Sequence, residues 1–134
     1  MDQGSVTWIV SADANEARIF CERRRSGALT ELPELRMQAG EAERRRRAAD
    51  DQGDHGAELR FLRRVASRLS QAARGGSYDR LALMGPPRAL GLLRLALPAE
   101  IARRVDVTDA HARKQDDPEA LRRHLRNARA RTWS

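Results

Sequence analysis

The chain has 134 residues, with 26 basic side chains against 19 acidic ones and a formal charge of +7. That length suits one domain, since domains cluster around 100–150 residues, and no stretch approaches the ~18 uninterrupted apolar residues of a membrane span. A single cysteine, Cys21, excludes an intramolecular disulfide and a four-cysteine zinc site. The opening Met1-Asp2-Gln3-Gly4 carries neither the basic nor the apolar part of a secretory signal. These features describe a soluble cytoplasmic protein.

Val6–Val10 is a β-rich apolar run, read as a buried strand, and Ser11–Asn15 breaks it with turn formers. Ala17–Glu22 is a second strand, and the short gap makes it the antiparallel partner of the first. Arg23–Gly27 is the next turn. Leu29–Met37 alternates loosely and reads as a third strand, weakened or confined to an edge by Pro33. Residues 38–56 lack periodicity. They hold Arg44–Arg47 against Glu41, Glu43, Asp50, Asp51 and Asp54, and read as a polar loop, mobile or ordered only by a partner.

From Ala57 to Arg74 the period becomes helical. Leu59, Leu62, Ala66, Leu69 and Ala73 form one stripe with Val65 beside it, and Gly75-Gly76 ends the helix. Arg80–Met84 is a short strand. Gly85-Pro86-Pro87 then turns the chain into a helix over 88–97, stopped by Pro98. A turn through Ile101 leads to a last strand over 104–107. Asp117-Pro118 opens a helix carrying Leu121, Leu125 and Ala128, with 129–134 expected to fray. The order β-β-β-α-β-α-β-α predicts one α/β domain: a mixed sheet, meander first, with right-handed parallel crossovers in the second half.

Nearly all of the basic charge is arginine, because Lys114 is the only lysine. Arginine grips phosphate in a planar, bidentate way that lysine cannot reproduce. A GC-rich coding sequence would raise the arginine count without any ligand, yet the sign of the charge still favours an anionic partner. Arg60, Arg63, Arg64, Arg68 and Arg74 all fall on the long helix, opposed only by Glu58. With five aromatic residues in the whole chain, an RNA partner would be read by charge and shape rather than by base stacking. A solvated helix face is the plain alternative.

Asp13 after the first strand could help hold Mg²⁺ with Glu58 as a second ligand. The fourth strand, however, ends in Met84-Gly85, where another carboxylate would be wanted, and Asp106 and Asp109 near the last strand have no evident partners in the sequence. Alternatively Asp13 orders its own turn through nearby backbone N–H groups or pairs with Arg18. His55, next to Asp51 and Asp54, is a candidate acid–base group, or a solvated loop histidine. His55, His111 and His124 fall on three separate elements without metal-ligand spacing, so neither metal nor cofactor is predicted. Cys21 reads as strand packing. Gly85–Arg88 at a strand-to-helix junction could present backbone N–H groups to an anion, although two prolines remove two donors. The alternative is a rigid turn that aims Arg88.

Three stretches carry a family resemblance. Trp8–Asp13 running into Ala17–Phe20 resembles the start of bacterial host attachment proteins, and Pro86-Pro87-Arg88 through Gly91 to Arg94 resembles their Pro-Pro-Arg-x-Leu-Gly-x-Leu-Arg segment. Ala57–Phe61 and Tyr78–Leu81 resemble the start of their long helix and the lead into the next strand. The match marks Trp8, Asp13, Arg18, Pro86, Pro87, Arg88, Gly91 and Arg94 as family-motif positions. That family is in turn similar to the middle domain of eukaryotic and archaeal peptide-chain release factors, which set a Gly-Gly-Gln loop before a helix beginning with an Arg-Phe step. Here Gln52–Gly56 precedes Arg60-Phe61: the loop position matches and the triplet does not.

The resemblance implies a ribonuclease H-like, release-factor-like fold and a cytoplasmic module associated with RNA or the ribosome. Its anion-binding residues would be Arg60, Arg63, Arg64, Arg68 and Arg88. Two alternatives remain: a hydrolase of an RNA-linked or nucleotide ester working through the loop around His55, and a protein-interaction module that affects attachment indirectly.

Overall fold

A computed structural model of the protein describes residues 5–40, 55–113 and 115–133. The first strand, β1 (Thr7–Ala12), is buried at every position, as expected of a strand covered on both faces. It pairs antiparallel with β2 (Glu16–Glu22), from Thr7 opposite Glu22 to Ala12 opposite Ala17.

The third strand departs from the sequence reading. Instead of running from 29 to 37 it is cut into β3 (Thr30–Glu31), a 3₁₀ turn (Pro33–Leu35) and β4 (Met37–Gln38). Pro33 supplies no N–H to a ladder and its fixed φ suits the first position of a helical turn. The two short strands still pair with the two ends of β2: Thr30 opposite Cys21, and Gln38 opposite Glu16.

Helix α1 (His55–Arg74) begins two residues earlier than expected, so His55 and Gly56 belong to a helix rather than to the polar loop. The rest of that loop, 41–54 with Arg44–Arg47, lies outside the described residues. The buried stripe of α1 is the expected one from Leu62 onward, and it differs only at its start, where Phe61 takes the place of Leu59. Phe61, Leu62, Val65, Ala66, Leu69 and Ala73 are buried, while Leu59 sits half-buried at the rim. The helix ends in a Schellman motif. Ser77 N–H reaches the Ala72 carbonyl at 2.9 Å, Gly76 N–H reaches that of Ala73 at 3.0 Å, and Gly76 takes a φ of 77°.

Strand β5 (Arg80–Met84) then pairs parallel with β1, helices α2 (Pro87–Ala96) and α3 (Ala99–Ala102) follow, and β6 (Val105–Asp109) pairs parallel with β5. The last helix, α4 (Pro118–Trp133), is longer than expected. The tail expected to fray from 129 onward is helical to Trp133, and Arg129 within it is buried. The sheet order is β3-β2-β1-β5-β6, with β4 on β2.

Strand alternation divides the core in two. Trp8, Val10, Ile19, Cys21, Leu81 and Leu83 face α1, α2 and α3. Ile9, Phe20, Ala82, Met84 and Val107 face α4, through Leu121, Leu125 and Ala128. Trp8 stacks on Tyr78 at 4.9 Å between ring centroids. The Tyr78 hydroxyl donates to the Leu69 carbonyl at 2.7 Å, and burial pushes its pKa up to about 12 against the opposing pull of Arg104.

Cys21 is 4% exposed, and burial pushes its thiol above the ordinary range. The native protein is therefore expected to react with a thiol reagent far more slowly than the urea-unfolded chain. Equal labelling rates in the two states would contradict this packing.

Candidate functional site

The three parallel strands all end at one edge of the sheet, where α/β folds usually place their sites. Asp13 follows β1, Gly85-Pro86 follows β5, and Asp109 closes β6. The first turns of α1 and α2 complete this edge. A cleft of about 340 Å³ opens there, lined by Asp13, Ala14, Asn15, Glu58, Pro86, Arg88 and Ala89. The sequence singles out Asp13 with Glu58 and Pro86 with Arg88 for two separate reasons, and the fold brings the two pairs together.

Their chemistry is already largely committed within the protein. Asp13 Oδ1 accepts the backbone N–H groups of Asn15 at 2.8 Å and Glu16 at 2.9 Å, and Asp13 N–H donates back to the Glu16 carbonyl. This is the turn-ordering role weighed in the sequence. Arg18 pairs with Glu31 at 3.0 Å and donates to the Asp116 carbonyl. Its guanidinium also holds the Glu31 carboxyl below the usual carboxylate range, with Arg36 adding to the effect against the cost of burial.

Pro86 caps α2 with Pro87 at its first position, a place where a missing N–H is harmless. The N–H of Gly85 is taken by the Asp109 carbonyl at 3.1 Å. The rigid turn aims Arg88 across the cleft at Glu58, whose Oε1 accepts Nε at 3.0 Å and Nη2 at 2.9 Å. Glu58 is buried, and its position in the first turn of α1 suits the positive end of that helix. The ion pair thus clamps the starts of α1 and α2 together beneath the Asp13–Glu16 turn. Among the described residues no group of three or more His, Cys, Asp or Glu side chains could hold a metal ion.

The remaining predicted residues separate into two sets. Arg60 and Arg63 point to solvent from α1, and neither is paired with an acid among the described residues. Arg64 is exposed but donates to the Gln38 carbonyl at 3.2 Å and lies over the Phe61 ring, and Arg68 is half-buried. On α2, Gly91 and Arg94 are exposed, and a methyl group at Gly91 would meet open space. The side chain of His55 is outside the described set.

Sequence reading missed a second cluster at the same edge. Asp109, 1% exposed, accepts His111 Nδ1 at 2.6 Å and Arg113 Nε at 3.0 Å. The alternation Asp-x-His-x-Arg was the available signal, since an extended segment puts such residues on one side. Burial pushes the Asp109 carboxyl up, yet the hydrogen bonds from His111 and Arg113 and their charges outweigh it and hold the group below its ordinary value. A carboxylate with a depressed folded-state pKa stabilises the fold above its unfolded value, and that contribution is lost as pH falls through the folded pKa. Stability should therefore decline below about pH 4. Asp109→Asn should flatten that acid limb of a urea-midpoint profile, and an unchanged limb would assign the acid sensitivity elsewhere.

No curated protein matches the sequence. The solved structure of an archaeal translation termination factor, aRF1, is similar over 94% of this chain and 39% of its own, with a TM-score of 0.52 and 18% identity. A second structure, described as an archaeal protein, is similar over 97% of this chain and 40% of its own, with a TM-score of 0.55 and 14% identity. At such identities the likeness is one of fold, and the chain spans about two fifths of the length of either. The release-factor-like α/β domain implied by the sequence is the one found. Residues 6–125, from the start of β1 to the Leu125 turn of α4, match a single family description, and the chain belongs to bacterial archaeo-eukaryotic release factor family 12.

Proposed function

We propose that this protein is a cytoplasmic, release-factor-like module that binds RNA or the ribosome through the arginine side of α1. One observation carries the reading: α1 bears five arginines and one acid, and that acid, Glu58, is buried against Arg88. The outward side therefore has no carboxylate of its own to neutralise it. Arg60 and Arg63 are the phosphate contacts, and Arg68 and Arg88 flank them. Family membership and the fold support a ribosomal setting. No described helix is long and apolar enough to cross a membrane.

A protein-binding role has one observation of its own. Leu95 on α2 is 82% exposed, beside Leu92 and Gly91, and this patch would serve the indirect part in host attachment that the resemblance implies. Hydrolysis of an RNA-linked ester would work through the loop around His55, and residues 41–54 of that loop lie outside the described residues.

Arg60→Ala with Arg63→Ala separates these readings. Each phosphate that is no longer neutralised should make the salt dependence of RNA binding shallower by about 0.9, so the pair should lower the slope by about 2. Affinity should fall alike for unrelated sequences, with the unfolding midpoint unchanged. Binding of RNA and ribosomes equal to that of the parent at low salt would show that this side of α1 is only solvated.

A further inference from the structure

We propose that the Arg23–Arg25 turn and the adjoining side of α4 form a second phosphate-backbone contact surface, on the opposite side of the sheet from the arginines of α1. The turn joins β2 to β3 and contains three consecutive arginines and no acid, all three exposed. It is held in place by a network that leaves those side chains outside. The Glu22 carboxylate accepts the Ser26 N–H at 3.0 Å and both terminal nitrogens of Arg129, at 2.8 and 2.7 Å. The Ser26 carbonyl accepts Arg122 Nε at 3.2 Å and Nη2 at 2.8 Å. Gly27 N–H closes on the Arg24 carbonyl at 2.7 Å, and Ser26 is held at a φ of 65°, a conformation that non-glycine residues keep only when their surroundings impose it.

The network also consumes the negative charge within reach. Glu22 is 2% exposed and fully engaged, so it screens the turn weakly from below. Helical spacing puts Arg126 on the side of α4 that carries Arg122 and Arg129 and so faces the turn, and Arg126 is exposed. Arg23, Arg24 and Arg126 have no acidic partner among the described residues. Over 118–133 the helix carries five arginines and one acid, Glu119, and Glu119 lies 3.5 Å from Arg122. Guanidinium groups on a preorganised turn lose little freedom when they meet phosphates.

The described parts of this surface expose no aromatic side chain on which a base could stack, so it reads the backbone of a duplex rather than single-stranded bases. It also lacks the exposed apolar side chains that an interfacial helix drives into lipid. The choice of RNA among polyanions rests on the function proposed above, whereas the surface itself does not.

One consequence separates this site from a mere extension of the α1 site. α1 packs on the sheet face made by Trp8, Val10 and Cys21, and α4 on the face made by Ile9, Phe20 and Met84. A straight duplex cannot lie along both, so the protein should hold two duplex segments at once.

The experiment is a stoichiometric titration and a salt series with an RNA duplex of about 16 base pairs. It compares the parent, Arg23→Ala/Arg24→Ala/Arg126→Ala, and Arg60→Ala/Arg63→Ala. The parent should saturate at two duplexes per protein, and the turn variant at one, with a salt slope lower by about 3 over the altered site and an unchanged unfolding midpoint. A turn variant that binds as the parent does overturns the proposal, whatever the α1 variant shows. Weaker binding by the turn variant alone, with the α1 variant unaffected, supports this surface and defeats the α1 reading instead. Parent binding to phosphatidylglycerol vesicles without binding to the duplex would also overturn it.

Discussion

Replacing Arg129 with alanine is expected to destabilise the fold by about 3–5 kcal/mol, the range for leaving one member of a buried ion pair alone. The partner left behind is Glu22, at 2% exposure and too deep for solvent to replace two bonds of 2.7 and 2.8 Å. Its carboxylate would keep only the Ser26 N–H. The damage should extend to the β2–β3 turn, because Glu22 orders it. Arg129 Nε has no hydrogen-bond partner among the described residues, so the pair leaves one buried donor over. A double replacement, Glu22→Leu with Arg129→Met, should therefore recover most of the stability. Urea unfolding of the three variants decides the matter. An Arg129→Ala effect below about 1 kcal/mol would place the pair in the class of surface ion pairs.

Gly85→Ala is expected to be comparably damaging for a different reason, at about 3 kcal/mol of overpacking. A Cβ at Gly85 would lie 2.1 Å from the Ala12 carbonyl oxygen, and a backbone atom cannot rotate away as a side chain can. Relief requires parting the ends of β1 and β5, which form two sides of the cleft at Asp13 and Pro86. Gly91→Ala is the matched control. That glycine is exposed within α2 with open space around it, so alanine there should stabilise by up to about 1 kcal/mol through helix propensity. Equal midpoints for the two variants would mean that the β1–β5 approach is looser than the structure shows.

Legibility followed the range of the interaction. The β1–β2 hairpin, α1 and its glycine stop, and the Asp13 turn rest on neighbours within a few residues, and the sequence displays them. The junction at Pro86-Pro87 was legible as a rigid turn, but its purpose was not, because Glu58 lies 30 positions from Arg88. The third strand failed at Pro33, where one missing donor outweighed loose alternation. The α1 stripe was legible from Leu62 to Ala73 and missed only its first member: a helical period identifies a face within about one residue, and packing against the sheet chose Phe61 over Leu59. Arg129 looked like part of a charged tail because nothing local reveals a carboxylate waiting 107 residues upstream. His111 looked isolated because its aspartate stands two positions away at the end of a strand, a spacing that becomes a contact only once β6 is in place.

The position of β1 between an antiparallel and a parallel neighbour also orders events in time. Its hairpin with β2 needs only the first 22 residues, and such a contact closes within microseconds. Its other edge must wait for β5, whose approach is sealed by a bond from Val6 N–H to Asp79 across 73 residues. During synthesis that edge stays open while most of the chain is made, on a strand that the finished fold buries on both faces. An unpaired edge of this kind is the usual place for one nascent chain to capture another. The vulnerable moment for this protein therefore falls on the translating ribosome, before Arg80–Met84 has emerged.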